Sequence, residues 1–134
     1  MDLNLVDSEL IPTLEAIPEF DIWADLSVTR LLSLQRNTDL ASMLPAIENV
    51  GTADYIVPQS GDEGVPVRVY GPKNQTNVLP ALLWIHGGGY CFGSLMGDDY
   101  TVKRMAEAIG CVVISVDYRL APEFPFPTPL NDCY

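Results

Sequence analysis

The spacing of apolar residues changes as the chain proceeds. In the first 50 or so residues it is helical. Val28, Leu31 and Leu32 fall at i, i+3 and i+4, with Leu34 close to the same side. Pro12, Pro18 and Pro45 punctuate the segment, and Phe20 and Trp23 precede the helix. From Thr52 the period shortens. Tyr55-Ile56-Val57 reads as a short strand and Ser60 to Gly64 as a turn cluster. Val65, Val67 and Val69 then alternate with Pro66, Arg68 and Tyr70. This predicts an antiparallel hairpin, ended by Gly71-Pro72 and followed by a polar loop over Lys73 to Asn77.

Ala81 to Ile85 is apolar without alternation, as expected of a strand covered on both faces. Val102, Met105, Ala106 and Ile109 then form one helix face, with Asp98 or Asp99 expected to cap its start and Gly110 its end. Cys111 to Val116 is a second apolar strand. Strand, helix and strand in this order predict a right-handed βαβ unit. The fold class is therefore α/β, an antiparallel hairpin leading into a parallel sheet. Asp117 to Pro129 holds four prolines, and Leu130 to Tyr134 reads as the start of a helix. Two parallel strands with open edges make a poor sheet, so these elements are expected to be part of a larger domain.

Composition narrows the function. Eighteen acidic residues against seven basic ones give a net charge of −11 over 134 residues. Such a chain repels nucleic acid and anionic lipid, and it has no Lys/Arg cluster to offset that. Cys91, Cys111 and Cys133 show no C-x-x-C spacing, which argues against a disulfide framework or a zinc site and for a reducing compartment. The N-terminus has no basic signal-peptide region, and no apolar run approaches a membrane span. The expectation is a cytoplasmic protein without cofactor or metal; nothing in the residues indicates its oligomeric state.

The one histidine, His86, ends the Ala81–Ile85 strand and is followed by Gly87-Gly88-Gly89. Ligands of open α/β sheets bind at the carboxyl ends of strands. A phosphate loop there would carry Lys or G-x-G-x-x-G, and Gly87 to Ser94 has neither. A metal site would need partners for His86, of which Asp117 is the nearest plausible one. A tight turn with a hydrogen-bonded histidine is the structural alternative. Consecutive glycine N–H groups could also hold a transient oxyanion, because fixed donors need no reorganisation as charge develops.

His86-Gly87-Gly88-Gly89 does not stand alone. After the second apolar strand comes Asp117-Tyr118-Arg119-Leu120-Ala121-Pro122-Glu123, then Phe124-Pro125-Phe126-Pro127. Over roughly residues 50 to 134 this order resembles the hormone-sensitive-lipase-like esterase and lipase branch of the α/β-hydrolases. The resemblance implies a mostly parallel sheet with helices on both faces. Residues 1–48 would begin a helical cap, and 49–134 would be the N-terminal part of the catalytic domain. It implies hydrolysis of small carboxylic esters by a Ser-Asp/Glu-His triad without cofactor. On the matching loop, the N–H groups of Gly88 and Gly89 would hold the oxyanion, with His86 and Gly87 as loop support. Tyr90 would flank the pocket. Phe20 and Trp23, with Leu31, would line it or else serve as packing residues. Asp117, Tyr118, Arg119 and Glu123 read as a structural polar network.

Two departures qualify this. Relatives often continue the loop into a second histidine, where this chain reads Ser94-Leu95-Met96-Gly97-Asp98. Nor does any of Ser8, Ser27, Ser33, Ser42, Ser60, Ser94 and Ser115 sit in G-x-S-x-G, so no triad member is present. The expectation is an oxyanion loop that is inactive by itself. The alternatives are a receptor-like member of the fold that binds a small molecule without catalysis, and a truncated interaction module.

Overall fold

The valine alternation forms one side of a four-stranded sheet. The computed structural model describes residues 5–16, 21, 23–59 and 63–134. Two helices come first, α1 (Ile11–Ala16) and α2 (Leu26–Ser42), then β1 (Val50–Val57), β2 (Val65–Pro72) and β3 (Ala81–Ile85). Helix α3 (Leu95–Ile109), strand β4 (Val112–Val116) and helix α4 (Thr128–Cys133) follow. The strand order is β1-β2-β4-β3. β1 and β2 form the antiparallel hairpin, and β1 starts at Val50, five residues before the expected Tyr55. Residues 60–62 of the turn cluster lie outside the described residues. β4 pairs antiparallel with β2 and parallel with β3, with Ala81 opposite Val112 and Ile85 opposite Val116.

β4 is flanked on both edges, so its residues are the best buried of the sheet. Side chains alternate between two faces. One face carries Tyr70 and Val113, fully buried beneath Val102 and Ala106 of α3, with Cys111 and Val50 at its margin. Leu82 and Trp84 of β3 pack on the same cluster. The other face carries Val65, Val67 and Val116 under Tyr118, with Leu120 and Cys133 against them. The α3 stripe holds at Val102 and Ala106, but Ile109 in the last turn is exposed.

Three expectations are corrected. β3 is not covered on both faces: Leu83 is 52% and Ile85 47% exposed, because α3 covers the Leu82 and Trp84 side and β3 is the edge strand. The apolar stripe of α2 has a helical period but does not face a core. Val28, Leu31 and Leu32 are exposed, and Thr29 is the buried residue. The cap of α3 is Ser94, not Asp98 or Asp99. Its backbone is extended, and its Oγ accepts the Gly97 N–H at 3.1 Å. Asp98 lies inside the first turn and accepts the Trp84 Nε1–H at 2.8 Å. Gly110 closes the helix in the left-handed conformation, as expected. α4 begins at Thr128, two residues before the expected start. No helix among the described residues is long and apolar enough to cross a membrane.

The cap assignment is testable. Ser94→Ala should lower unfolding stability by about 1 kcal/mol in urea denaturation. An unchanged midpoint would place the cap elsewhere.

Candidate functional site

β3 delivers His86 into the protein. Its ring is 4% exposed and stacks on Tyr118, with centroids 4.1 Å apart and planes 14° from parallel. The Tyr118 hydroxyl donates to the His86 carbonyl at 2.7 Å. Burial pushes that phenol up to about 12, so it remains a donor at neutral pH. His86 Nδ1 lies 2.9 Å from the Gly87 carbonyl oxygen. A carbonyl can only accept, so this contact puts the ring proton on Nδ1. The other nitrogen, Nε2, is buried without a partner among the described residues.

These contacts orient the glycine N–H groups. In a trans peptide the C=O and the following N–H point in opposite directions. The peptides of this loop are trans. The Gly87 carbonyl faces the histidine ring, so the Gly88 N–H faces away from it. The Gly88 carbonyl accepts from the Cys91 N–H at 3.1 Å and the Phe92 N–H at 3.0 Å, so the Gly89 N–H points out of that turn. Neither the Gly88 nor the Gly89 N–H has a partner among the described residues, and both glycines are exposed.

Glycine is required at particular positions here. Gly88 has φ +128°, and a Cβ on it would lie 2.3 Å from the Phe92 carbonyl oxygen. Gly93 has φ +94°, and its Cβ would lie 2.1 Å from His86 Nδ1. Gly89 has φ +58° in open space, and Gly87 has open space without a positive φ. Tyr90 takes φ +61° although it carries a side chain. The Ala121 N–H donates to the Tyr90 carbonyl at 2.8 Å, and the Tyr90 ring meets Tyr118 edge-on. Tyr90, Ala121, Phe126, Pro129 and Leu130 line a cavity of about 450 Å³. That is within the usual range for small-molecule sites, roughly 300–1,000 Å³.

A polar network supports the loop from the segment after β4. Asp117, the carboxylate weighed as a metal partner for His86, accepts the Leu95 N–H at the start of α3. Among the described residues, no group of three His, Cys, Asp or Glu side chains is placed to hold a metal. Arg119 donates from its backbone N and Nε to Asp132 Oδ2, both at 2.9 Å, and from Nη2 to Oδ1 at 2.7 Å. The Asp132 side chain is fully buried, and the Arg119 bonds hold its carboxyl below the usual carboxylate range.

The structure brings His86, Gly87, Gly88, Gly89 and Tyr90 together. Trp23 reaches the loop by its ring contact with Phe92, 6.0 Å between centroids, and does not line the Tyr90 cavity. Phe20 lies outside the described residues. Sequence reasoning missed Arg30. It donates from Nε to the Cys91 carbonyl at 2.7 Å and from Nη2 to the Ala121 carbonyl at 2.5 Å. Its guanidinium also pairs with both oxygens of Glu123. The available signal was an arginine beside the apolar positions of α2 in a chain with only seven basic residues.

Comparison with known proteins gives consistent matches. A family model of the α/β hydrolase fold matches residues 82–134. The chain is 44% identical over 91 residues to an arylacetamide deacetylase of Oryctolagus cuniculus, across 58% of this chain and 23% of that one. It is 48% identical over 67 residues to a FAD-linked oxidoreductase of Aspergillus terreus, across 50% of this chain and 8% of the other. So small a share does not carry that protein's name over. A solved bacterial heroin esterase superposes with a TM-score of 0.81 at 35% identity, across 100% of this chain and 42% of that one. The chain thus spans less than a quarter of the length of these two curated relatives.

Two variants at the loop should separate. Gly93→Ala must displace the His86 ring and should cost about 2–3 kcal/mol. Gly87→Ala, in open space, should stay within about 0.5 kcal/mol of the parent in the same denaturation series. Equal costs would refute the packing of His86 against Gly93. A pH dependence follows from Asp132. Its folded pKa lies below the unfolded value of about 3.9, so its contribution is complete above that value. It is lost as pH falls through the folded pKa, below about pH 4. Asp132→Asn should cost about 2 kcal/mol at pH 7 and flatten the acid limb of stability against pH. A variant whose acid limb matches the parent would show that Asp132 does not carry it.

Proposed function

We propose that this chain, which matches a family model of the α/β hydrolase fold over residues 82–134, supplies the oxyanion-binding loop of a carboxylic-ester hydrolase. The observation that carries the reading is the pair of outward-facing N–H groups of Gly88 and Gly89, which have no partner among the described residues. When a nucleophile adds to an ester carbonyl, the oxygen becomes an alkoxide. Two fixed donors stabilise that charge more than the neutral carbonyl, and in such sites one donor contributes about 3 kcal/mol to the barrier. His86 acts here by holding the Gly87 carbonyl, not as a base. The Tyr90 cavity, with Phe126 and Leu130, receives the apolar part of a small ester.

The nucleophile is a separate requirement. No G-x-S-x-G stretch occurs among the 134 residues. The loop stabilises a developing oxyanion without generating it, so these residues alone should bind and not turn over. The names of the relatives support an acyl substrate: one is a deacetylase and the solved one an esterase.

Two measurements test the reading. In the ¹⁵N-labelled chain, butyrate at fixed ionic strength should shift the Gly88 and Gly89 amides saturably, with a Kd on the order of 10 mM, and leave Gly110 unmoved. The chain should not hydrolyse p-nitrophenyl acetate above the protein-free rate. Unmoved glycine amides at saturating probe would end the oxyanion reading, and genuine turnover would end the claim that the loop lacks its nucleophile.

A further inference from the structure

We propose that Arg30 is a positioning residue for the oxyanion loop, setting the direction of its donors from a helix outside the sheet; the inference rests on the oxyanion reading above. Arg30 holds two carbonyls, those of Cys91 and Ala121. The same two residues supply N–H groups that fix the loop. Cys91 donates to the Gly88 carbonyl, and Ala121 donates to the Tyr90 carbonyl. Each of them is thus held at its oxygen by Arg30 while its nitrogen holds a loop peptide. The Gly88 carbonyl in turn sets the direction of the Gly89 N–H. One guanidinium therefore ties the glycine loop, the segment after β4 and α2 into one unit.

The chemistry of the contact explains why an arginine stands here. A planar guanidinium presents donors in several fixed directions, so it can serve two carbonyls and a carboxylate together. A lysine ammonium cannot span all three. Glu123 supplies the counter-charge, and the Arg30 hydrogen bond holds its carboxyl below the usual range. That carboxylate is half exposed, and ion pairs of this kind contribute little by themselves. The two carbonyl contacts, not the ion pair, are the positioning element. A purely structural arginine would affect global stability and leave the donors of the folded loop unchanged.

The test uses the whole chain with Arg30→Met, Arg30→Lys and Glu123→Gln. Global folding is followed by the amides of Val113 and Ala106 and by the melting temperature. The butyrate response of the Gly88 and Gly89 amides should weaken about tenfold in Arg30→Met. Arg30→Lys should weaken it in the same direction, and Glu123→Gln should stay within about twofold of the parent. If Arg30→Met does not fold, Arg30→Lys carries the comparison. A parent-like response in a folded Arg30 variant would overturn the inference. If the parent itself does not respond, the oxyanion reading fails, and Arg30 is judged by the ¹⁵N relaxation of Gly88 and Gly89. Lower order in the Arg30 variants then supports positioning, and unchanged order refutes it.

Discussion

Three consecutive carbonyls, those of His86, Gly87 and Gly88, are all taken by donors on the protein side of the loop. Tyr118 Oη takes the first, His86 Nδ1 the second, and the Cys91 and Phe92 N–H groups the third. A trans peptide cannot then turn its N–H to the same side. The outward donors therefore follow from where the carbonyls go. This constraint accounts for the neighbouring residues: the burial of His86, the stacking of Tyr118 on it, and the lack of a Cβ at Gly88 and Gly93, where one would strike Phe92 or the histidine ring.

The sheet serves the same end. β4 is central because both β2 and β3 pair with it, and it leads directly into Asp117 and Tyr118. β3 runs parallel to it and ends at Ile85, one residue before His86. The two strand ends thus place Tyr118 over His86 without a long loop between them. Asp117 reaches back to the Leu95 N–H, so the start of α3 joins the same corner. The positive φ of Tyr90 is a local cost. The Ala121 bond at its carbonyl helps to hold it in place.

Much of this was legible in the sequence because it rests on local patterns. The period of two at Val65, Val67 and Val69, the helix face of Val102 and Ala106, and Gly110 as a terminator need only near neighbours. What failed depends on distant ones. Leu83 and Ile85 look like core residues, yet their exposure is decided by the face they occupy, since α3 packs on the Leu82 and Trp84 side. Val28, Leu31 and Leu32 have the helical spacing of a buried stripe, yet α2 instead buries Thr29 and turns Arg30 toward a loop 61 residues away. Asp98 and Asp99 suit the dipole of a helix start, but the helix begins earlier, with Ser94 in extended backbone and its Oγ on the Gly97 N–H. The three glycines were legible as a turn at a strand end, but the direction of each N–H was not, since it depends on His86 Nδ1 and on the turn at Cys91.

On the proposed reading, a chain of net charge −11 is the host of an anion-stabilising loop, which is an apparent conflict. The conflict is resolved by range and by timing. Several acids are already matched: Asp132 by Arg119, Glu123 by Arg30, and Asp99 by Arg68 and Lys103. Exposed charges further than about 8 Å away are largely screened at physiological salt. The Gly88 and Gly89 donors act at hydrogen-bond distance, where screening is weak. The ester of the proposed reading is neutral, so the chain's overall charge would not oppose its approach. In the proposed reaction the negative charge would form only at the carbonyl oxygen, within reach of those two N–H groups. On the proposed reading, the acidity weighs less on stabilisation of the intermediate than on the approach of a free carboxylate, for which the expected affinity is accordingly weak.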